Sequence, residues 1–182
     1  VKFSIEFPDY TNMDLWKSLA NADGGNALSG IKASEVKTAA DGNNLYVLAQ
    51  DIRSSSVLRY DGDNWTNLGK CAETGGSGAL TVFNSEPYAL FADYNGKCEL
   101  KKYSGGKWNT VSVLNFGANK YSNAPALGAA GGKLYALIDD CGKNPQLYAL
   151  NSGTLEKSGS ALNVKLVASP EIFDKSGCPA VI

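Results

Sequence analysis

The sequence lacks histidine altogether, and its 182 residues include a single methionine and only six prolines. Without histidine, the chain cannot build a Ser-His-Asp arrangement or use an imidazole as a general base, so no catalytic residue is predicted. No apolar stretch approaches the roughly 18 residues of a membrane-spanning helix, and no membrane span is expected. The formal net charge of −1 offers no excess of positive charge, which argues against a nucleic-acid partner.

Cysteine is also scarce, with four in the chain: Cys71, Cys98, Cys141 and Cys178. None belongs to a C-x-x-C pair, and histidine is absent, so neither a metal site nor a cofactor is predicted. Their even number favours two disulfides in a secreted chain over buried free thiols. A first residue that is valine, not methionine, predicts a processed or excised chain.

What the sequence does contain is a threefold repeat. A hydrophobic strand that ends on aspartate recurs three times, at Leu45–Asp51, Pro87–Asp93 and Leu134–Asp140. Each copy is followed by a second apolar run, a Gly-rich turn and an anchor residue, namely Trp65, Trp108 and Leu155. Repeats of this length built from short alternating strands predict a β-propeller, whose blades are sheets of four antiparallel strands, A to D, from the centre outwards.

The middle repeat shows all four strands of a blade. The predicted strands are Ala79–Phe83, Tyr88–Ala92, Cys98–Tyr103 and Lys107–Val113. The turn between the second and third of them contains Asn95-Gly96, a dipeptide that tolerates the positive φ of tight hairpins. Because alternating strands place B–C turns and D-to-A connections at one end, Cys71 and Cys98 are the favoured disulfide. Cys178 begins a strand near the other end, so a Cys141–Cys178 bridge is less favoured.

Both ends of the chain also look like strands. Val1–Phe7 and Leu15–Leu19 match strands C and D, while Glu171–Phe173 and Cys178–Ile182 match strands A and B. Pairing them in one sheet would remove unpaired strand edges. We therefore predict a single domain, residues 1–182, whose blades are 27–76, 77–123, 124–169 and a composite of 170–182 with 1–26. The alternatives are half of an eight-bladed homodimer and a fragment of a larger propeller.

The residues that repeat are predicted to serve the fold. Trp16, Trp65 and Trp108 occupy one position of successive blades, where large aromatics pack between neighbouring sheets. The repeated aspartates end their strands, and aspartate caps turns through its own side chain, so we favour turn formation over cation binding for Asp51, Asp93 and Asp140.

The repeat, Tyr-Val/Ala-Leu then an Asp turn then Lys/Arg-Tyr-x-Gly-x-x-Trp, resembles those of kelch-like and galactose-oxidase-type propellers and of bacterial surface proteins. The resemblance covers most of residues 27–169. It implies a rigid platform that binds partners through loops at one end. Galactose oxidase activity is not implied, because that enzyme's copper ligands include histidines.

These observations predict a secreted or cell-surface propeller that acts as a non-enzymatic protein-binding or adhesion module. A lectin with a shallow sugar site between blades is the alternative, and a carbohydrate-active hydrolase with two carboxylates comes next. The long D-to-A connections and a neighbouring turn suit recognition of a protein or glycan. The candidate binding residues there are Tyr94, Asn119, Lys120 and Tyr121.

Overall fold

In a computed structural model, the chain is built from β-strands. The structure describes residues 31, 33–51, 53–73, 76–93, 95–116, 125–138, 144–163, 170–176 and 178–181. Every regular element in these ranges is a strand. Among the same residues, no helix has the length and apolar character needed to cross a membrane.

Three antiparallel sheets of four strands follow one another along the chain, each with its strands in sequence order. The first sheet contains β1 (Glu35–Asp41), β2 (Asn44–Gln50), β3 (Ser55–Tyr60) and β4 (Trp65–Ala72). The second sheet contains β5 (Gly76–Phe83), β6 (Glu86–Asp93), β7 (Lys97–Ser104) and β8 (Lys107–Asn115). The third contains β9 (Ala126–Ala130), β10 (Lys133–Ile138), β11 (Gln146–Asn151) and β12 (Thr154–Lys157). A terminal hairpin follows, formed by β13 (Ile172–Lys175) and β14 (Cys178–Val181).

This arrangement confirms the predicted all-β propeller fold. The second sheet contains the four strands expected from the repeat, each extended by up to three residues at its ends. The A strands β1, β5, β9 and β13 contact one another in succession, so they form the inner wall of the propeller. The composite blade stays a prediction, because Val1–Phe7 and Leu15–Leu19 lie outside the described residues.

Two hydrophobic cores hold the three sheets together, because the middle sheet is apolar on both faces. Along β6 the side chains alternate: Ala89 and Phe91 face the first sheet, while Leu90 and Ala92 face the third. We call the contact between the first and second sheets the first interface, and that between the second and third the second interface. Burial on both faces explains why β6 is a continuous apolar run.

Two of the anchor residues lie at these interfaces, Trp108 as predicted and Leu155 at the equivalent position. Its ring packs against the core of the first interface, and its indole nitrogen donates a hydrogen bond to the Leu68 carbonyl oxygen at 3.2 Å. Leu155 occupies the same repeat position at the second interface, where it is 3% exposed. Its backbone nitrogen donates to the Ser112 hydroxyl at 3.0 Å. Trp16 lies outside the described residues.

The expected disulfide between Cys71 and Cys98 does not form, and both residues are free thiols. Cys71 belongs to the core of the first interface and Cys98 to that of the second, so the middle sheet separates them. Burial raises the pKa of each thiol to about 12. Cys178 is also free, on an exposed position of β14, whereas Cys141 lies outside the described residues.

Aspartates shape the turns, as predicted for Asp93. Its carboxylate accepts hydrogen bonds from the backbone nitrogens of Asn95 and Lys97, each at 2.9 Å. Asp61 does the same in the hairpin before Trp65, and these backbone bonds lower the pKa of its carboxyl. Both carboxylates therefore serve the local turn. Asp140 lies outside the described residues.

Candidate functional site

The A strands enclose a central cavity of about 500 Å³, lined by all four inner strands. Most side chains on its walls are small, including alanines from β1, β5 and β9 and the hydroxyl-bearing Thr38 and Thr81. The ionisable side chains among its described lining residues are Lys37 and Glu171. The Lys37 ammonium lies 3.0 Å from the carboxylate of Glu35, which compensates its charge. Two carboxylates therefore belong to this region, one lining the cavity and one paired with a lining lysine.

A second cavity, which we call the inter-blade cleft, lies at the outer part of the second interface and has a volume of about 910 Å³. Strand register explains its third-sheet wall. Gln146 lies directly across from Ile138, and Lys157 directly across from Tyr148, so each pair projects from the same face. Ile138 and Tyr148 belong to the core that faces the second sheet, and all four residues therefore point towards that sheet.

The opposite wall of the inter-blade cleft comes from the end of β8. Leu114 and Phe116 pack against the core of the second interface, and both line the cleft. The backbone nitrogen of Phe116 donates to the Gly96 carbonyl oxygen at 2.8 Å, which anchors the end of this strand to the preceding B–C turn. The cleft thus has an aromatic residue on each wall, the partly buried Phe116 on one side and Tyr148, which is 5% exposed, on the other.

The departure of the third repeat from the pattern contributes to this cleft. Leu155 lines it at the position where the second repeat has Trp108. An isobutyl side chain occupies much less volume than an indole, so the repeat that carries leucine leaves more room beside its neighbour. The cleft therefore forms where the repeat is least regular.

Polar groups meet the apolar walls at the mouth of the cleft. The side-chain nitrogen of Gln146 donates to the carbonyl oxygens of Leu147 (2.8 Å) and Gly159 (3.3 Å), which holds this amide in place. Asn144 and Lys157 are exposed and complete the polar lining on the third sheet. Apolar walls with a few fixed polar groups are typical of small-molecule sites.

The predicted binding residues Tyr94, Asn119, Lys120 and Tyr121 lie outside the described residues, so their prediction is not tested. The cleft nevertheless lies at the end of the propeller where they were expected, because β8 and β12 both finish there and β11 begins there.

Sequence reasoning missed the cleft residues themselves. A usable signal was present, because Tyr148 and Lys157 occupy the positions of Lys101 and Thr110 in the preceding repeat. Both positions lie on the face of the third sheet that packs against the second sheet, where the repeat predicts a buried interface. A change of residue type at such positions indicates that this part of the interface is not simply packed.

No family model matches the chain, and no characterised protein matches its sequence. Solved structures do resemble it. An α-L-arabinofuranosidase (CtGH43) from Clostridium thermocellum has a TM-score of 0.55 at 13% identity, over 80% of this chain and 62% of that one. A GH43 endo-arabinanase from Bacillus licheniformis has a TM-score of 0.52 at 16% identity, over 80% and 63%.

The Aleuria aurantia lectin, solved as the N224Q mutant with Fucα1-6GlcNAc, has a TM-score of 0.53 at 14% identity, over 81% of this chain and 52% of the lectin. The chain thus spans less than two thirds of each of these three proteins. At such identities the likeness shows the propeller fold alone. It supports that fold and not the kelch-like or galactose-oxidase-like repeat type.

The prediction that the chain is not an enzyme is wrong, because the absence of histidine does not exclude every enzymatic activity. It depended on the absence of histidine, yet two of the neighbours with this fold are glycoside hydrolases. Glycoside hydrolysis uses carboxylates as acid and base, so a chain without histidine retains the groups that the reaction needs.

Proposed function

We propose that this propeller recognises carbohydrate and that the inter-blade cleft is its sugar site. The observation that carries the proposal is the cleft itself, in which an aromatic ring on each wall meets polar groups at the mouth. Sugars present both apolar C–H faces and hydroxyls. The partly buried ring of Phe116 suits the former. For the latter, the Asn144 amide can donate and accept hydrogen bonds, and the Gln146 amide, whose nitrogen is already bonded to two carbonyl oxygens, can accept through its oxygen.

The structural neighbours support this proposal without establishing it, because all three act on or bind sugars according to their descriptions. A secreted or cell-surface location belongs to the same proposal. Recognition of a protein partner and homodimer formation stay predictions, since the residues proposed for recognition and the N-terminal strands that a dimer would pair lie outside the described part of the chain.

A glycan-array screen followed by NMR titration of the best ligand tests the proposal. We expect the largest amide shifts at Asn144–Leu147 and around Phe116, and weaker binding in the Phe116→Ala variant. Phe173→Ala is the matched control, because this aromatic is 41% exposed on the terminal hairpin, away from the cleft. A folded protein that binds no glycan, or binds one with shifts confined to other regions, would contradict the assignment.

Glycoside hydrolysis in the central cavity is a second candidate function. The observation that favours it is the carboxylate of Glu171 on the cavity wall, with the Glu35–Lys37 pair on β1 beside the same cavity. The reaction needs two carboxyl groups on either side of the scissile bond. We expect any hydrolysis of α-L-arabinofuranosides or arabinan to fall at least 100-fold in both Glu171→Gln and Glu35→Gln. Activity that survives both changes would exclude these residues.

A further inference from the structure

The inter-blade cleft differs from the equivalent part of the first interface in its charge. In the second sheet, Glu99 lies across from Phe91 and Lys101 across from Ala89, so both charged residues face the first sheet. Their side chains form an ion pair of 3.6 Å. The lysine that faces the first interface is therefore compensated by a carboxylate on its own strand.

The third sheet has neither the lysine nor the carboxylate at these two positions, but it has a lysine on the same face of the next strand. Gln146 stands at the position of Glu99, and Tyr148 at the position of Lys101. The positive charge has moved across to β12, where Lys157 pairs in register with Tyr148. Among the described residues that line the cleft, Lys157 is the charged side chain, and no carboxylate accompanies it.

The nearest acidic residue in sequence does not compensate Lys157. Glu156 projects from the opposite face of β12, because successive side chains of a strand alternate. Its carboxylate accepts a hydrogen bond from the Asn151 amide at 3.0 Å, on the far side of the sheet from the cleft. Within the part of the chain that the structure describes, no ion pair involves Lys157.

We propose that the inter-blade cleft selects sugars that carry a negative charge, with Lys157 as the residue that recognises the anionic group. This inference rests on the proposed carbohydrate function and names its ligand class. The apolar walls and the Gln146 amide hold the ring and hydroxyls, and the Lys157 ammonium, which no described residue of the cleft compensates, pairs with a carboxylate or sulfate ester on the same sugar. A uronic acid supplies the carboxylate, and a sulfated hexose supplies the ester.

Matched sugars test the proposal by NMR titration of the intact chain. The probes are galacturonic acid, galactose 6-sulfate and galactose, which share a ring but differ in charge. We expect at least one charged sugar to bind about fivefold more tightly than galactose, as for an exposed ion pair. Raising the salt from low to molar concentration should remove that advantage, because salt screens exposed charges. The stronger of the two charged probes distinguishes carboxylate from sulfate recognition.

Two variants change the charge of the cleft in different ways. Lys157→Met removes the cation, and Gln146→Glu restores the carboxylate that the second repeat has at this position. Both are expected to abolish the advantage of the charged sugars, measured in each variant as the ratio of its affinity for the charged sugar to its affinity for galactose. Lys107→Met is the matched control, because Lys107 is an exposed lysine at the opposite end of β8. The control should keep the full preference.

The outcomes separate the two proposals. Equal binding of charged and neutral sugars at the cleft would overturn the anionic preference and leave the carbohydrate function standing. A preference that survives in Lys157→Met would also overturn the role of this lysine. Binding of no sugar at the cleft would overturn both.

Discussion

The first and second interfaces are built from the same repeat yet differ in how they close. At the first interface, the Trp108 ring packs against the core and its nitrogen bonds to the backbone of the neighbouring sheet. At the second, Leu155 stands in the same position and a cavity of about 910 Å³ lies beside it. The difference teaches that the same repeat position can hold a packed aromatic at one interface and line a cavity at the next.

Charge follows the same division. The first interface contains a lysine whose carboxylate partner, Glu99, projects from the same face of the same strand. At the second interface the partner is replaced by Gln146, and the cation on that face is Lys157. Among the described residues, the lysine at the closed interface has a carboxylate partner, whereas Lys157 at the cleft has none.

The largest expected effect comes from opening the closed interface. Trp108→Leu reproduces the anchor of the third repeat in the second. We expect it to lower the free energy of unfolding by about 2–3 kcal/mol, because it removes buried aromatic area and the hydrogen bond to the Leu68 carbonyl. Chemical denaturation measures this change. Phe173→Leu, at an exposed aromatic, should cost less than about 1 kcal/mol. Equal costs for the two variants would show that Trp108 does not hold the interface.

This comparison also shows how far the sequence could be read. The strand pattern of residues 77–113 predicts β5 to β8 closely, because alternation and hairpin turns are local properties. The predicted cysteine pairing was wrong because it considered the end of the propeller at which each cysteine lies but not the face of the sheet from which its side chain projects. Strand direction places Cys71 and Cys98 at one end, but the face of each depends on register, which pairs Cys98 with Ala92 on the side of the third sheet. The volume of the cleft depends on side chains from two sheets, so the sequence offers only an indirect signal for it, the departures from the repeat at Tyr148 and Lys157.

The reciprocal change closes the open interface. Leu155→Trp places an indole where the second repeat has one, and we expect it to weaken glycan binding at the cleft at least tenfold, about 1.4 kcal/mol. The larger side chain is also expected to overpack this position and to lower the free energy of unfolding by up to about 3 kcal/mol. Val113→Trp is the control, since Val113 is a 40% exposed residue of β8 that does not line the cleft. Titration of both folded variants measures the effect, and unchanged affinity in Leu155→Trp would separate the cleft from binding.

Among the described residues, the first interface contains the buried thiol of Cys71 and the second that of Cys98, and pH provides a probe of both. Folding raises the pKa of Cys71 and Cys98 from 9.0 to about 12. The stability linked to these thiols is therefore fully present below pH 9 and declines as the pH rises towards 12, because the unfolded chain releases its protons first. We expect a loss of about 1 kcal/mol per thiol between pH 9 and pH 10.

Denaturant titrations at the two pH values, made on the wild type and on Cys71→Ala and Cys98→Ala, measure these contributions separately. Between the two pH values, the free energy of unfolding of each variant should fall by about 1 kcal/mol less than that of the wild type, because one thiol has been removed. Tyr46 and Tyr88, whose pKa is also raised by burial, are retained in all three proteins and cancel in the comparison. A decline that is the same in all three would mean that the thiols ionise as easily in the folded protein as in the unfolded one.

The smallest expected effect concerns charge at the closed interface. Glu99→Gln copies the residue that the third repeat has at this position and removes the partner of Lys97 and Lys101. We expect the free energy of unfolding to fall by less than about 1 kcal/mol, because partly exposed ion pairs contribute little, and by less still in high salt.

The Glu99→Gln variant also provides a control for the binding experiment. With Trp108 still packed at the first interface, this variant should gain no affinity for anionic sugars, since an uncompensated lysine without a cleft has no site to offer. Anionic binding at the first interface of Glu99→Gln would show that charge alone, and not the cavity beside Leu155, decides where such a ligand binds.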